Sequence, residues 1–108
     1  MRQYTTQQQT NKLISLGLTP TYKRERKTIH DKAAPLYRFS IGELMATLPP
    51  ILPIGEGAYL YITHDSVSWV VSYRHHSNTS REIYVTMEIE LVDALYRMIV
   101  GLKQAKEV

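Results

Sequence analysis

Residues 87–103 read MEIELVDALYRMIVGLK, and their spacing decides the fold. Leu91, Ala94, Leu95, Met98, Ile99 and Leu102 fall at the i, i+3, i+4, i+7 positions of one helix face. Val92, Tyr96 and Val100 widen that face, leaving Glu90, Asp93, Arg97 and Gln104 as a narrow polar stripe. A helix with so broad an apolar arc must be covered on several sides. The spacing therefore predicts a helix over 87–103 around which the rest of the chain packs. Glu88 and Glu90 in its first turn and Lys103 near its end suit the helix dipole. Asp93 and Arg97 are spaced to pair at i, i+4. Gly101 lowers helix stability by roughly 1 kcal/mol relative to Ala.

Upstream the apolar period changes to two. In 58–63, Leu60 and Ile62 alternate with Tyr59 and Tyr61. In 67–74, Val67, Trp69, Val71 and Tyr73 alternate with Ser68, Val70, Ser72 and Arg74. His64-Asp65-Ser66 supplies a turn between them, so the pattern predicts a hairpin. A second turn-rich stretch, 76–80, leads to a third strand over 82–86 with Ile83 and Val85 inward. Leu60, Ile62, Trp69, Val71, Ile83 and Val85 then face the helices. The opposite face shows Tyr59, Tyr61, Ser68, Val70, Ser72, Arg74, Tyr84 and Thr86.

Before the strands, 40–48 carries the clearest local signature. Ser40 and Glu43 have capping-box spacing, and Phe39 and Leu44 are placed for a hydrophobic staple. Ile41, Leu44, Met45 and Leu48 share a face, and Pro49-Pro50 ends the helix. So short a helix must pack on the body. Residues 5–16 predict a polar helix, with Thr6 and Gln9 as a capping box. Gly17 follows as a left-handed C′ residue, with Leu18 against Leu13 and then Pro20. Leu13, Ile14 and Leu16 offer its only packing. Residues 21–35 hold Lys23-Arg24-Glu25-Arg26-Lys27 without an apolar period and read as a loop or a mobile edge strand. Residues 36–39 read as a short strand.

Three of these stretches together carry a resemblance: 39–44 (FSIGEL), 69–73 (WVVSY) and 90–96 (ELVDALY). The chain resembles a group of small uncharacterised proteins encoded by prophages and mobile elements of gut bacteria. The resemblance covers about residues 36–104. Its motifs are a capped helix and a buried helix, so it implies a context and no site residues.

Composition narrows the function classes. The chain has 108 residues, 44% hydrophobic and 21% charged, as one globular domain over 1–108 requires. The absence of cysteine excludes disulfides, thiolate nucleophiles and cysteine-based metal sites. No apolar run reaches membrane-spanning length, and MRQYTTQQQTNK lacks the apolar core of a signal peptide. The expectation is a cytoplasmic protein. Its net charge of +3 is uneven. Residues 1–38 carry eight Lys/Arg against two acids, and residues 39–108 carry five against eight. A basic first third on an acidic body hints at a partner.

The chemical constellations each have a plainer reading. His64, Asp65 and Ser66 are adjacent, and adjacent side chains cannot form a nucleophile–base–orienter relay. His75 and His76 point to opposite faces of an extended strand. Without H-E-x-x-H or cysteine, a zinc site would need the fold to gather the histidines, His30 among them. Gly55-Glu56-Gly57 enters a strand, where a phosphate loop enters a helix. No catalytic residue, metal site or cofactor is expected.

Two surfaces remain. Lys23, Arg24, Arg26 and Lys27, with Tyr22 nearby, suit a nucleic-acid backbone through counter-ion release, although Glu25 interrupts them. Tyr59, Tyr61, Arg74 and Tyr84 suit a protein-recognition face, since Tyr offers contact area at low entropic cost. The plainer readings are a solvated charge run and cross-strand β pairs. The expected fold is α+β: a small antiparallel sheet of about three strands on the C-terminal helix and the short capped helix. The expected function is a non-enzymatic adaptor or accessory protein binding a protein partner or itself as a homodimer. The alternative is a nucleic-acid accessory protein using the basic third.

Overall fold

A computed structural model describes residues 1–20, 22–23, 37–54, 57–75 and 78–108. In chain order the elements are α1 (Gln7–Ser15), β1 (Tyr22–Lys23), β2 (Tyr37–Arg38), α2 (Ile41–Thr47), β3 (Ile51–Leu52), β4 (Ala58–His64), β5 (Trp69–His75), β6 (Asn78–Glu88) and α3 (Leu91–Gln104). The class is α+β. The main sheet is antiparallel with order β3-β4-β5-β6, one strand more than expected. Its extra strand, β3, follows Pro50 directly and pairs Ile51 with Tyr59 and Leu52 with Ala58. A two-residue edge strand shows too little alternation to be read from sequence. β1 and β2 form a separate ribbon, with Tyr22 opposite Arg38.

The helix 87–103 is real but shorter at its start. Strand β6 runs on through Glu88, and α3 begins at Leu91 with Glu90 as an N-cap that makes no side-chain cap bond. All six residues of the predicted face are buried, and Val92 with them. The expected Asp93–Arg97 pair is replaced by two longer-range contacts. Arg97 donates to Glu88 at the end of β6 (2.6 Å), and Asp93 accepts from Arg2.

Both capping boxes form as their spacing predicts. The Ser40 hydroxyl accepts from the Glu43 amide (3.1 Å), and the Glu43 carboxylate accepts from the Ser40 amide (3.3 Å). Thr6 and Gln9 repeat the pattern. The amides of Gly17 and Leu18 return to Ile14 and Leu13, and Gly17 has φ +99°, completing the Schellman end. Two expected core residues sit outside: Met45 on α2 and Ile14 on α1 are exposed. In their place α1 buries Leu13 and Thr10, and the Thr10 hydroxyl lies 2.6 Å from that of Thr5.

The core lies between one sheet face and helices α2 and α3. Leu44, Leu48, Leu52, Ala58, Val71, Tyr73, Leu95, Met98, Ile99 and Leu102 are all buried there. Two expectations about strand faces fail. Val67 belongs to the β4–β5 turn and is exposed. In β6 the parity is inverted from Tyr84 onward. Tyr73 stands opposite Tyr84 and Arg74 opposite Glu82, so Ile83 is the extra residue of a bulge. Ile83 and Tyr84 both pack against the core. Thr86 faces α3, donating its hydroxyl hydrogen to the Ala94 carbonyl (2.8 Å). Val85 and Met87 therefore point away from the helices.

Candidate functional site

The sheet face turned away from α2 and α3 is defined by register. Tyr59, Tyr61 and Thr63 on β4 stand opposite Arg74, Ser72 and Val70 on β5. Ser72 and Val70 stand opposite Val85 and Met87 on β6. Ile51 on β3 stands opposite Tyr59. The face thus runs unbroken across four strands. Four of its apolar side chains are well exposed: Ile51 52%, Tyr59 40%, Val85 47% and Met87 54%.

Arg74 organises its middle. The guanidinium carbon lies 5.0 Å from the centroid of the Tyr61 ring. Nε donates to the Ser72 hydroxyl at 3.1 Å, and Nη2 lies 3.7 Å from the Glu82 carboxylate. These contacts lay the arginine along the sheet beside Ser72, which is fully buried. The carboxylate of Glu82 offsets the Arg74 charge. The face is consequently apolar and aromatic, with its two opposite charges adjacent.

Of the four residues expected on a recognition face, the fold gathers Tyr59, Tyr61 and Arg74. Tyr84 is corrected: it pairs with Tyr73 and packs against the core on the opposite face. The β6 bulge is the cause, because one inserted residue exchanges the faces of every side chain beyond it. Ile51, Val85 and Met87 were not expected there. Ile51 precedes the first stretch of alternation and Met87 falls in the expected helix over 87–103, while Val85 is inward by alternation, which cannot separate two faces that are both apolar. Of the basic run, Lys23 lies in β1, while Arg24, Arg26 and Lys27 lie outside the described residues.

The sheet's other polar groups have local roles. The Asp65 carboxylate accepts from the backbone amides of Ser68 (2.6 Å) and Val67 (2.8 Å). Those bonds, aided by nearby His64, hold its carboxyl below the usual carboxylate range. The His64 ring packs on Trp69 with centroids 4.7 Å apart, at the opposite end of β4 from Ala58, the partner of His75. His30 and His76 lie outside the described residues. Among the described residues no three His, Asp or Glu side chains gather as metal ligands, and no helix is long and apolar enough to cross a membrane.

Comparison with protein-family models, curated proteins and solved structures finds no match to this chain.

Proposed function

We propose that the chain is a small non-enzymatic adaptor or accessory protein that docks another protein, or itself, on the outer face of its sheet. One observation carries this reading: an exposed, continuous apolar and aromatic face on a sheet whose other face is already filled by helices. Single exposed apolar side chains are ordinary, but a contiguous patch of them on a small domain marks a contact surface. Rings and an arginine at its centre are the residue types that anchor interfaces. The reading takes the protein as cytoplasmic and, following the resemblance to prophage-encoded proteins, as an accessory of a mobile element. Its test is Tyr59→Ala with Tyr61→Ala. The double variant is expected to melt nearly as the parent does and to lose partner capture or self-association. A folded variant that captures the same partners at unchanged strength would place recognition elsewhere.

The uneven charge supports a second reading, nucleic-acid binding through the basic first third. Each phosphate contact would contribute a slope of about −0.9 in log K against log salt on duplex DNA. Neutralising Lys23, Arg24, Arg26 and Lys27 together should weaken binding and flatten that slope. Unchanged affinity and slope in the quadruple variant would reject the site.

A further inference from the structure

Strand β6 forms one edge of the main sheet and pairs with β5 alone. Residues of an antiparallel strand alternate: one directs its N–H and C=O at a given neighbour, and the next directs both away. The phase of that alternation is fixed at the far edge. The Leu60 amide donates to the Pro50 carbonyl at 3.0 Å, so Leu60 turns its backbone groups toward β3. Tyr59 and Tyr61 then turn theirs toward β5, and Arg74 and Ser72 opposite them bond β4. The Asp65 amide, donating to the Ser68 carbonyl at 3.0 Å, keeps the same phase at the hairpin end. Val71 and Tyr73 are left to bond β6, through Thr86 and Tyr84. The amides and carbonyls of Val85 and Met87 consequently point off the open edge. Among the described residues, no hydrogen bond reaches the backbone of 84–88 from outside β5.

We propose that this edge, residues 84–88, takes an extended peptide from a partner protein as an added antiparallel strand, a contact separate from the outer face. Backbone chemistry sets the occupant. Donors and acceptors lying in the plane of a sheet are filled by another extended backbone, not by a helix, whose own groups are bonded within it. Edges are ordinarily blunted with Lys, Pro or a bulge. Residues 84–88 include neither Lys nor Pro, and the bulge at Ile83 lies before them. Side chains add a sequence preference. Val85 and Met87 stand exposed on the outer face, and antiparallel pairing sets two residues of the peptide directly beside them. Those two positions favour apolar residues, and the residue between them turns to the inner side, beside Thr86. Size separates a peptide from a second copy. The stretch is about 17 Å long. Pairing over that length falls short of the roughly 1,000 Å² that a specific interface between folded copies buries. A short peptide needs no such area, because strand addition draws its affinity from the backbone bonds.

Amide hydrogen exchange on the full chain tests this, with a blocked synthetic peptide, Thr-Val-Thr-Val-Thr flanked by lysines, as the probe. In the free protein the Val85 and Met87 amides should exchange about a hundred-fold or more faster than those of Tyr84 and Thr86, which the ladder holds. At about 1 mM peptide both should slow by about ten-fold, the protection given by a ligand at ten times its Kd. Paired antiparallel, the peptide's valines lie opposite Val85 and Met87 and direct their N–H groups at β6. N-methylation of both valines should therefore abolish the protection, and N-methylation of the central threonine should preserve it. Met87→Pro removes a donor that the ladder does not use, so the variant should fold and lose the peptide. Tyr59→Ala with Tyr61→Ala leaves the edge intact and should bind the peptide unchanged, which separates this contact from the outer-face reading. Val85 and Met87 amides as slow as that of Thr86 in the free protein, at any concentration, would show an edge already covered within the chain and overturn the proposal. Slowing that grows with protein concentration would assign the edge to a second copy and overturn the peptide. Fast amides that the peptide leaves unchanged, or equal protection by both methylated peptides, would overturn it as well.

Discussion

Tyr73 shows how one side chain ties strand to loop. It is fully buried, and its hydroxyl donates to the Pro49 carbonyl at 2.7 Å, fixing the chain where α2 gives way to β3. Burial pushes its phenol up to about 12. The folded value lies above the unfolded one of about 10. The stability linked to this group is therefore fully present below about pH 10 and is lost as pH rises through about 12. Tyr73→Phe should remove that component of alkaline unfolding while lowering stability at neutral pH by about 1 kcal/mol through the lost hydrogen bond. Melting curves at neutral and alkaline pH give both quantities. Asp65 behaves with the opposite sign. Its carboxyl is depressed, so its support of the β4–β5 turn is present above the ordinary carboxylate range and lost as pH falls through its lowered value. Asp65→Ala should speed hydrogen exchange at the Val67 and Ser68 amides near neutral pH and leave exchange in α3 unchanged. Residue identity was a poor guide to face in β6. Thr86 goes inward because its hydroxyl finds the Ala94 carbonyl, whereas Val85 goes outward despite being apolar. A bulge sets that choice, and no residue in 82–86 announces one.

Elements with a strong local code were legible from sequence. The two capped helices declare their starts through paired side-chain and backbone bonds only three residues apart, so no tertiary knowledge is needed to find them. Ser40→Ala should cost about 0.5–2 kcal/mol by removing the α2 cap, measured by denaturant unfolding. α3 was legible through its apolar period, although its first turn was placed too early. Met87 and Glu88 still belong to β6 and residues 89–90 bend into the helix, so the acidic residues there mimic a helix start. Leu95 lies mid-face on α3 with no solvent exposure. Leu95→Ala should therefore destabilise by about 2–5 kcal/mol; a loss under about 1 kcal/mol would demote α3 from its central place. The candidate face was legible only in part. β4 and β5 form a regular hairpin whose alternation is reliable, which is why Tyr59, Tyr61 and Arg74 were found. β3 and β6 flank it with an edge strand too short to show a period and a strand whose period breaks.

Across the whole molecule, distant parts of the chain are fastened at the start of α3. The Arg2 amide donates to Glu90 at 2.9 Å, its guanidinium pairs with Asp93, and Gln9 of α1 also donates to Asp93 at 2.7 Å. The Thr5 amide donates to the Phe39 carbonyl at 3.0 Å, setting the first residues beside the chain that enters α2. Asp93→Ala should loosen this junction without opening the core. The expected signature is faster amide exchange in α1, with α3 and β5 still protected. Equal loss of protection throughout would show that the junction holds the whole fold together.

The order of these parts along the chain also governs how the protein is made. Hairpin β5–β6 is contiguous in sequence and can pair as soon as it leaves the ribosome, but of the two helices on its inner side the longer, the 14-residue α3, follows it. At about 5–20 residues per second of synthesis, that helix arrives roughly 1–3 seconds later. During that interval the nascent sheet is apolar on both sides, and the first residues have no Asp93 to meet. Ribosome-bound chains extended until β6 but not α3 has left the exit tunnel should therefore stay open to protease and recruit chaperones, whereas chains extended far enough for α3 to emerge should resist both.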